Sequence, residues 1–365
     1  MPILKEEENE MKKLVSLLFV GLLAFGLVGC GSNGDNETSG QVLNVYNWGE
    51  YMDLDLIPEF EDEFNCRVTY SLFASNEEMY TKLLGGTQYD VLIPSDYMIQ
   101  KLIEEDMLQP IDKSIITNMP NLYEGTLNKP YDPNNDYSVP YFWGNVGIVY
   151  DKTIVDPADV ESQGWEVLRN PKYAGQLYMY DSERDSFMVA LKALGYSMNT
   201  TSEEEIQEAY EWLIEQKDIM DPAYVTDTAI DDLANGVKPM GVMYSGDAAY
   251  ILDVNENMAF YAPVDQGTNL WNDAMVIPAN AKNPELANEF INFMLEHDNA
   301  YANSDLVGYI SSNKDVITEM TAEDGTYFGN EAYLPKTDNS NDEVFVNNEE
   351  IRKVISDLWV KVKQR

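Results

Sequence analysis

From Gln41 onward the chain alternates short apolar strands with amphipathic helices, and this alternation restricts the fold more than any other feature. Leu43–Tyr46 reads as a strand, and Leu54, Ile57, Phe60 and Phe64 then recur at helical spacing. Val68–Leu72 reads as a strand again, Glu78–Leu84 as a helix, and Tyr89–Pro94 as a buried-type strand leading into a helix through Leu102. Such alternation predicts an α/β sheet with helices on both faces. Open sheets of this type take ligands at the carboxyl ends of their strands. The residues to watch are therefore those that follow strands, Asn47–Tyr51 and Ser95–Tyr97 among them.

The Pro/Asn-rich stretch Asn128–Asp136 breaks the pattern. It leads into Tyr137–Gly144 and a strand predicted at Val146–Tyr150, read as a crossover into a second lobe. That lobe is expected to hold a strand at Leu177–Tyr180, helices at Ser186–Leu194 and Glu203–Gln216, and a strand at Met240–Tyr244 followed by a helix. Trp271–Asp273 and the apolar run Ala274–Pro278 read as the return, with a helix at Pro284–Leu295 and a last one at about Glu349–Val362.

Ahead of this region lies a secretory leader. Met11-Lys12-Lys13 forms a basic start, Leu14–Leu27 an almost unbroken apolar run, and Leu27-Val28-Gly29-Cys30 a small-residue ending before a cysteine. The run is shorter than the roughly 20 helical residues that span a bilayer. It is similar to a bacterial lipoprotein signal, which makes Cys30 the lipidated first residue of the mature chain and residues 30–40 a flexible tether. Residues 1–10, acidic and upstream of Met11, read as an upstream start or an appended remnant.

The full chain carries a formal charge of −41, and losing residues 1–29 removes three lysines and four glutamates, leaving about −40. That sign argues against nucleic acid, which needs a basic surface, and against a polybasic grip on anionic lipid. The membrane link is then the lipid on Cys30. Cys66, the other of the two cysteines, has no partner for an internal disulfide, and its place before Arg67-Val68 suits a small buried hydrophobe at a strand entrance. The single histidine, His297, is expected at the end of the helix before it, against the negative pole of the dipole. No Gly-x-Ser-x-Gly elbow or Cys/His cluster supports triad or zinc chemistry. Asp132–Asp136 resembles the start of a calcium loop, but Tyr137 and Trp143 stand where glycine and glutamate are needed. Gly85-Gly86 lacks the Lys-Ser/Thr of a phosphate cradle and reads as a turn. No metal or cofactor is expected.

Aromatic residues make up 12% of the chain, and several stand beside carboxylates at expected strand ends: Trp48 near Glu50 and Tyr51, Tyr97 after Asp96, Tyr244 before Asp247, Trp271 before Asp273. An ammonium over such a ring gains roughly 0.5–2 kcal/mol. A facing carboxylate adds a charge-assisted hydrogen bond. A pocket lined by both suits an amine with an alkyl body, although an aromatic beside an acid in an acidic chain is often only core next to surface.

The segments Tyr46–Tyr51, Ser75–Tyr80, Pro94–Tyr97, Asn128–Gly144 and Val276–Asn283 resemble the spermidine/putrescine-binding proteins of polyamine ABC transporters. The resemblance implies a two-lobed type II periplasmic-binding fold, α/β in class, with a hinge and an interlobe cleft. Lobe one would comprise residues 41–143 plus 273–337, and lobe two residues 144–272 plus 338–365. It carries the family's cleft aromatics onto Trp48, Tyr51, Tyr97, Tyr244, Trp271 and Tyr309, its acids onto Asp185, Asp247 and Asp273, and a polar contact onto Ser95; Gly49, beside Trp48, completes the candidate site. Tyr244 departs from a common Trp, Ser182 from an acid found in some spermidine binders, and Phe345 from an expected amide, while Asp247 matches the putrescine-type pattern.

The expected function is that of a monomeric, non-enzymatic, lipid-anchored extracytoplasmic receptor that passes a polyamine to an ABC permease. A sensory lipoprotein of the same fold and a secreted carboxylate-pair hydrolase are the alternatives. Three acids for three ammonium groups favour spermidine over putrescine, with putrescine still bound. If Cys30 carries the anchor, Cys30→Ala releases the protein from the membrane to the medium; retention of the variant in the membrane fraction of a cell fractionation excludes that anchor.

Overall fold

A computed structural model describes residues 40–226 and 228–365. The signal segment and Cys30 lie outside the described residues. Eleven strands form the sheet: β1 Val42–Trp48, β2 Arg67–Phe73, β3 Val91–Leu92, β4 Leu108–Gln109, β5 Ser138–Asp151, β6 Leu177–Tyr180, β7 Ala223–Val225, β8 Met240–Tyr244, β9 Met258–Tyr261, β10 Leu270–Pro278 and β11 Ile310–Ser311. The path runs β2-β1-β3-β10-β5-β8-β6-β7, with β4 on β10 and with β9 and β11 on β5. β1 pairs in parallel with β2 and β3, and β6 in parallel with β7 and β8, so each half is a parallel αβ unit whose strands end on one side. Helices follow these strands as the periodicity requires. The helix Leu56–Phe64 turns Leu56 and Phe60 inward, with Leu56 taking the place expected of Leu54, which precedes the helix and is exposed, and Asp96–Glu104 buries Met98, Ile99 and Leu102.

The expected strand at Val146–Tyr150 is the second half of one longer strand. β5 runs unbroken through 14 residues, all buried. Its first part pairs antiparallel with β10 from Ser138↔Val276 to Asn145↔Leu270, and its second part pairs with β8 from Val146↔Tyr244 to Tyr150↔Met240. One strand thus serves both halves, and a run apolar on both faces carries no break that sequence spacing could reveal. β10 returns alongside it, with an irregularity in register between Asp273 and Ala274.

A third crossing follows near the C-terminus. Glu343 N–H donates to Thr268 O at 2.9 Å and Glu343 O accepts from Leu270 N–H at 2.8 Å. The Glu343 carboxylate accepts from Lys192 and Ser197. Lys101, on the helix after β3, pairs with Glu349 at 2.8 Å. The last helix, Glu349–Gln364, then packs Leu358, Trp359 and Val362 inward.

Two expectations are corrected. His297 does not end a helix; it opens the helix His297–Val307, because the preceding helix stops at Met294 and Glu296 adopts extended backbone as the N-cap. At this positive pole the imidazolium gains nothing from the dipole, and Asp298 and Glu319 instead raise its pKa. Cys66 is half-buried rather than enclosed, because β2 is the edge strand, and burial raises its thiol pKa. In the Asp132 loop the carboxylate accepts the N–H groups of Asp136, Tyr137 and Ser138 at 2.9–3.0 Å, which makes it a turn brace. Gly86 takes φ +83° after the helix Asn76–Leu84, the turn expected of the Gly85-Gly86 pair.

The shared strand makes a sharp stability test. Trp143 is fully buried on β5, donates Nε1–H to Ser311 O at 3.0 Å, and stacks on Tyr123 at 5.2 Å. Trp143→Ala is expected to cost about 3–5 kcal/mol. Urea unfolding of both proteins measures this, and a loss below about 1 kcal/mol would contradict the packing described.

Candidate functional site

Aromatic residues stand at the carboxyl ends of β1, β6 and β8: Trp48, Tyr180 and Tyr244. β10 crosses between the halves and contributes Trp271 and Asp273, both buried. Five rings form a continuous series. Tyr51 meets Tyr309 at 5.6 Å, Tyr309 meets Trp271 at 5.5 Å, Trp271 meets Tyr244 at 6.1 Å, and Tyr244 leans on Tyr180 at 4.6 Å. The first three contacts are edge-to-face, an arrangement aromatic pairs favour.

Each of three acids is fastened to this series by a tyrosine hydroxyl. Tyr51 OH donates to Asp273 Oδ2 at 2.9 Å. Tyr244 OH donates to Asp185 Oδ2 at 2.8 Å, where Ser182 Oγ donates as well at 2.6 Å. Asp247 receives two: Tyr309 OH at 2.8 Å on one oxygen and Tyr180 OH at 3.0 Å on the other. Burial holds the Tyr51, Tyr180 and Tyr244 hydroxyls well above their ordinary pKa, so they stay protonated and donate.

Two glycines let the rings approach the backbone. A Cβ on Gly144, opposite Trp271 in the β5–β10 register, would lie 2.6 Å from the indole. One on Gly246, between Ser245 and Asp247, would lie 2.5 Å from the Tyr309 ring.

Ser95 forms an antiparallel bridge with Asp273, and its hydroxyl accepts from Asn76 Nδ2 at 3.1 Å. The same amide group donates to Tyr97 OH at 2.9 Å, so buried Asn76 positions both residues. Trp48 is held apart from the ring series by its own contacts, with Nε1–H donating to Ile93 O at 2.9 Å and its ring tilted on Phe73 at 4.5 Å. Of the sequence candidates, Tyr51, Asp185, Tyr244, Asp247, Trp271, Asp273 and Tyr309 are joined directly, and Ser95 joins through Asp273. Gly49 is exposed in the turn after β1, with open space where a Cβ would stand.

Sequence reasoning missed Tyr180 and Arg184, and noted Asp96 beside Tyr97 without placing it in the candidate site. Tyr180 ends β6, so the strand-end rule that drew attention to Tyr244 applies to it equally. Asp96 is buried beside Ser95 and accepts N–H from Tyr97 at 2.7 Å and from Asn272 at 3.3 Å. Arg184 stacks on Tyr97 with its guanidinium carbon 3.7 Å from the ring centroid, a contact between separate helices that no local pattern reveals.

The acids are poised rather than fixed in charge. Burial pushes Asp273 up to about 6, with hydrogen bonds from Ser95 and Tyr51 pulling back. Burial also pushes Asp96 up to about 7 and raises Asp185. Among the described residues no group of His, Cys, Asp and Glu is arranged to hold a metal ion. The arrangement suits a cation with an apolar body: rings for the alkyl surface and partly titrated carboxylates for the charge.

Residues 55–329 match the model of the bacterial extracellular solute-binding protein family. This chain belongs to that family. It is 36% identical over 328 residues to a spermidine/putrescine-binding periplasmic protein of Salmonella typhimurium, covering 88% of this chain and 92% of the relative. It is 31% identical over 308 residues to a putrescine/cadaverine-binding protein of Pseudomonas aeruginosa, covering 82% of each. The crystal structure of a spermidine/putrescine ABC transporter substrate-binding protein from Streptococcus pneumoniae matches with a TM-score of 0.78 at 36% identity, covering 89% of this chain and 99% of that one. A Treponema pallidum lipoprotein matches with the same score at 27% identity, covering 89% and 100%. The fold is the two-lobed type II periplasmic-binding fold.

These acids fix a pH dependence. Because burial raises their pKa values, they are largely neutral at pH 5 and ionised at pH 8, and only the ionised forms pair with an ammonium. Affinity for a diamine is expected to rise at least about tenfold from pH 5 to pH 8, with protons released on binding near pH 6. Calorimetry in buffers of different ionisation enthalpy measures both, and a pH-independent affinity would remove Asp96 and Asp273 from charge recognition.

Proposed function

We propose that this protein is an extracytoplasmic substrate-binding lipoprotein that captures spermidine and/or putrescine between its lobes and delivers it to an ABC permease. The observation that carries the reading is the ring series in which Asp273, Asp247 and Asp185 are each held by a tyrosine hydroxyl. A polyamine offers the matching pattern of ammonium groups joined by short methylene spacers. The rings cover the spacers, and the acids take the termini. No bond need break, so the protein acts as a carrier.

In this reading the lobes are residues 41–143 plus 273–337 and residues 144–272 plus 338–365. β5, β10 and the Glu343 crossing act as the hinge around which they close. Closure expels water and strengthens each charge contact. Among the described residues no helix is long and apolar enough to cross a membrane, and a lipid on Cys30 supplies the anchor of what is proposed to be a monomer.

Isothermal titration with spermidine, putrescine and a neutral sugar tests the reading. Both polyamines are expected to bind, and the sugar not at all. Asp273→Asn is expected to weaken polyamine binding by about 2–4 kcal/mol, the cost of removing a desolvated partner from a buried cation. Unchanged affinity in a folded Asp273→Asn protein would take Asp273 out of the site, and no polyamine heat with the parent protein would sink the proposal.

A further inference from the structure

Arg184 stands on the helix Glu183–Ala193 that follows β6, and Tyr97 on the helix Asp96–Glu104 that follows β3. Their stacking at 3.7 Å therefore spans from one half of the sheet to the other at the carboxyl ends of the strands. Arg169, Arg352 and Arg365 each sit in an ion pair with a carboxylate, Arg169 also over Trp212 at 4.9 Å, whereas Arg184 lies closer on its ring, at 3.7 Å from Tyr97. Phe345 flanks the same guanidinium at 6.0 Å and lines a small cavity with it. A planar guanidinium covers an aromatic face more completely than an ammonium does. Its charge also reaches two buried acids, Asp96 and Asp185, where it works against the effect of burial.

Two of the three sequence departures fall at this same end. Ser182, in place of an acid, uses its hydroxyl on Asp185, and Phe345, in place of an amide, presents a ring to Arg184. This end of the site thus has a resident cation over its aromatic face and lacks the extra acid and amide that would draw another ammonium.

Building on the polyamine reading, we propose that Arg184 is a specificity-determining residue. Its guanidinium takes the Tyr97 face and closes the Tyr97–Phe345 end of the cleft to a third ligand ammonium, which lowers the affinity for a triamine relative to a diamine. Two cations cannot share one desolvated ring face without repulsion that the ring's attraction does not offset. A diamine spanning Asp247 and Asp273 leaves Arg184 in place.

The test is calorimetric titration of putrescine and spermidine into the parent protein, Arg184→Gln and Arg184→Lys at fixed pH and ionic strength. Arg184 is half-buried at the first turn of its helix, so both variants are expected to fold. Arg184→Gln is expected to tighten spermidine about fivefold or more while putrescine moves less than about twofold. Arg184→Lys, which keeps the charge, is expected to keep the parent ratio. If Arg184 merely ties the two halves together, Arg184→Gln weakens both ligands alike, and that result overturns the inference while leaving polyamine binding intact. A parent protein that binds neither polyamine overturns both.

Discussion

The structure is organised around the burial of carboxylates with little fixed positive charge beside them. Asp96, Asp185 and Asp273 are all buried; Arg184 brings a positive charge into range of Asp96 and Asp185, and Lys129 brings one into range of Asp96. A buried carboxylate is costly unless it is hydrogen-bonded or neutralised. Here tyrosine hydroxyls, Ser182 and backbone N–H groups supply the hydrogen bonds, and raised pKa values supply partial neutralisation. The residual cost is relieved when a cation arrives from outside. The tyrosines therefore have two tasks: their hydroxyls keep the acids oriented, and their rings present a surface to an alkyl chain. Phenylalanine would serve only the second.

This arrangement depends on the crossing strands. Trp271 and Asp273 lie on β10, opposite Gly144 and Phe142 of β5, where both strands pass between the halves. If these strands are the hinge, as proposed, a site built on them changes shape when the halves move, which couples ligand contact to closure. Gly144 and Gly246 set how close the Trp271 and Tyr309 rings lie to the backbone, so the cleft wall is defined by absent side chains as much as by present ones.

Most of the sheet was legible because its strands are short, apolar and punctuated, and a strand-end rule then led to Trp48, Ser95, Tyr97, Tyr244 and Asp273. The continuity of β5 was not legible: when both faces of a strand are buried, no alternation marks where one pairing partner gives way to the next. His297 was misplaced because the apolar periodicity of Pro284–Met294 carries past Leu295, and only the extended backbone at Glu296 separates the two helices. Tyr180 carried the same signal as Tyr244 and was passed over. Arg184 illustrates a different limit, since its place over Tyr97 arises from a contact between separate helices.

The charge of −41 and the cleft acids act at different ranges and should not be merged into one cause. Surface charges are screened beyond a Debye length of roughly 8 Å at physiological salt. They raise the local concentration of cations and speed encounter, but they discriminate poorly among amines. The cleft acids are few, with Asp185 and Asp273 buried and Asp247 half-buried, so salt screens them less, and in the proposed reading their spacing along the ring series sets which ammonium pattern fits. A chain with the same net charge and no ring-bound acids would attract polyamines without holding them. A neutralised surface around this same cleft would hold them but capture them more slowly. On the proposed reading, net charge governs arrival, and retention rests on the tyrosine–carboxylate pairs of the ring series.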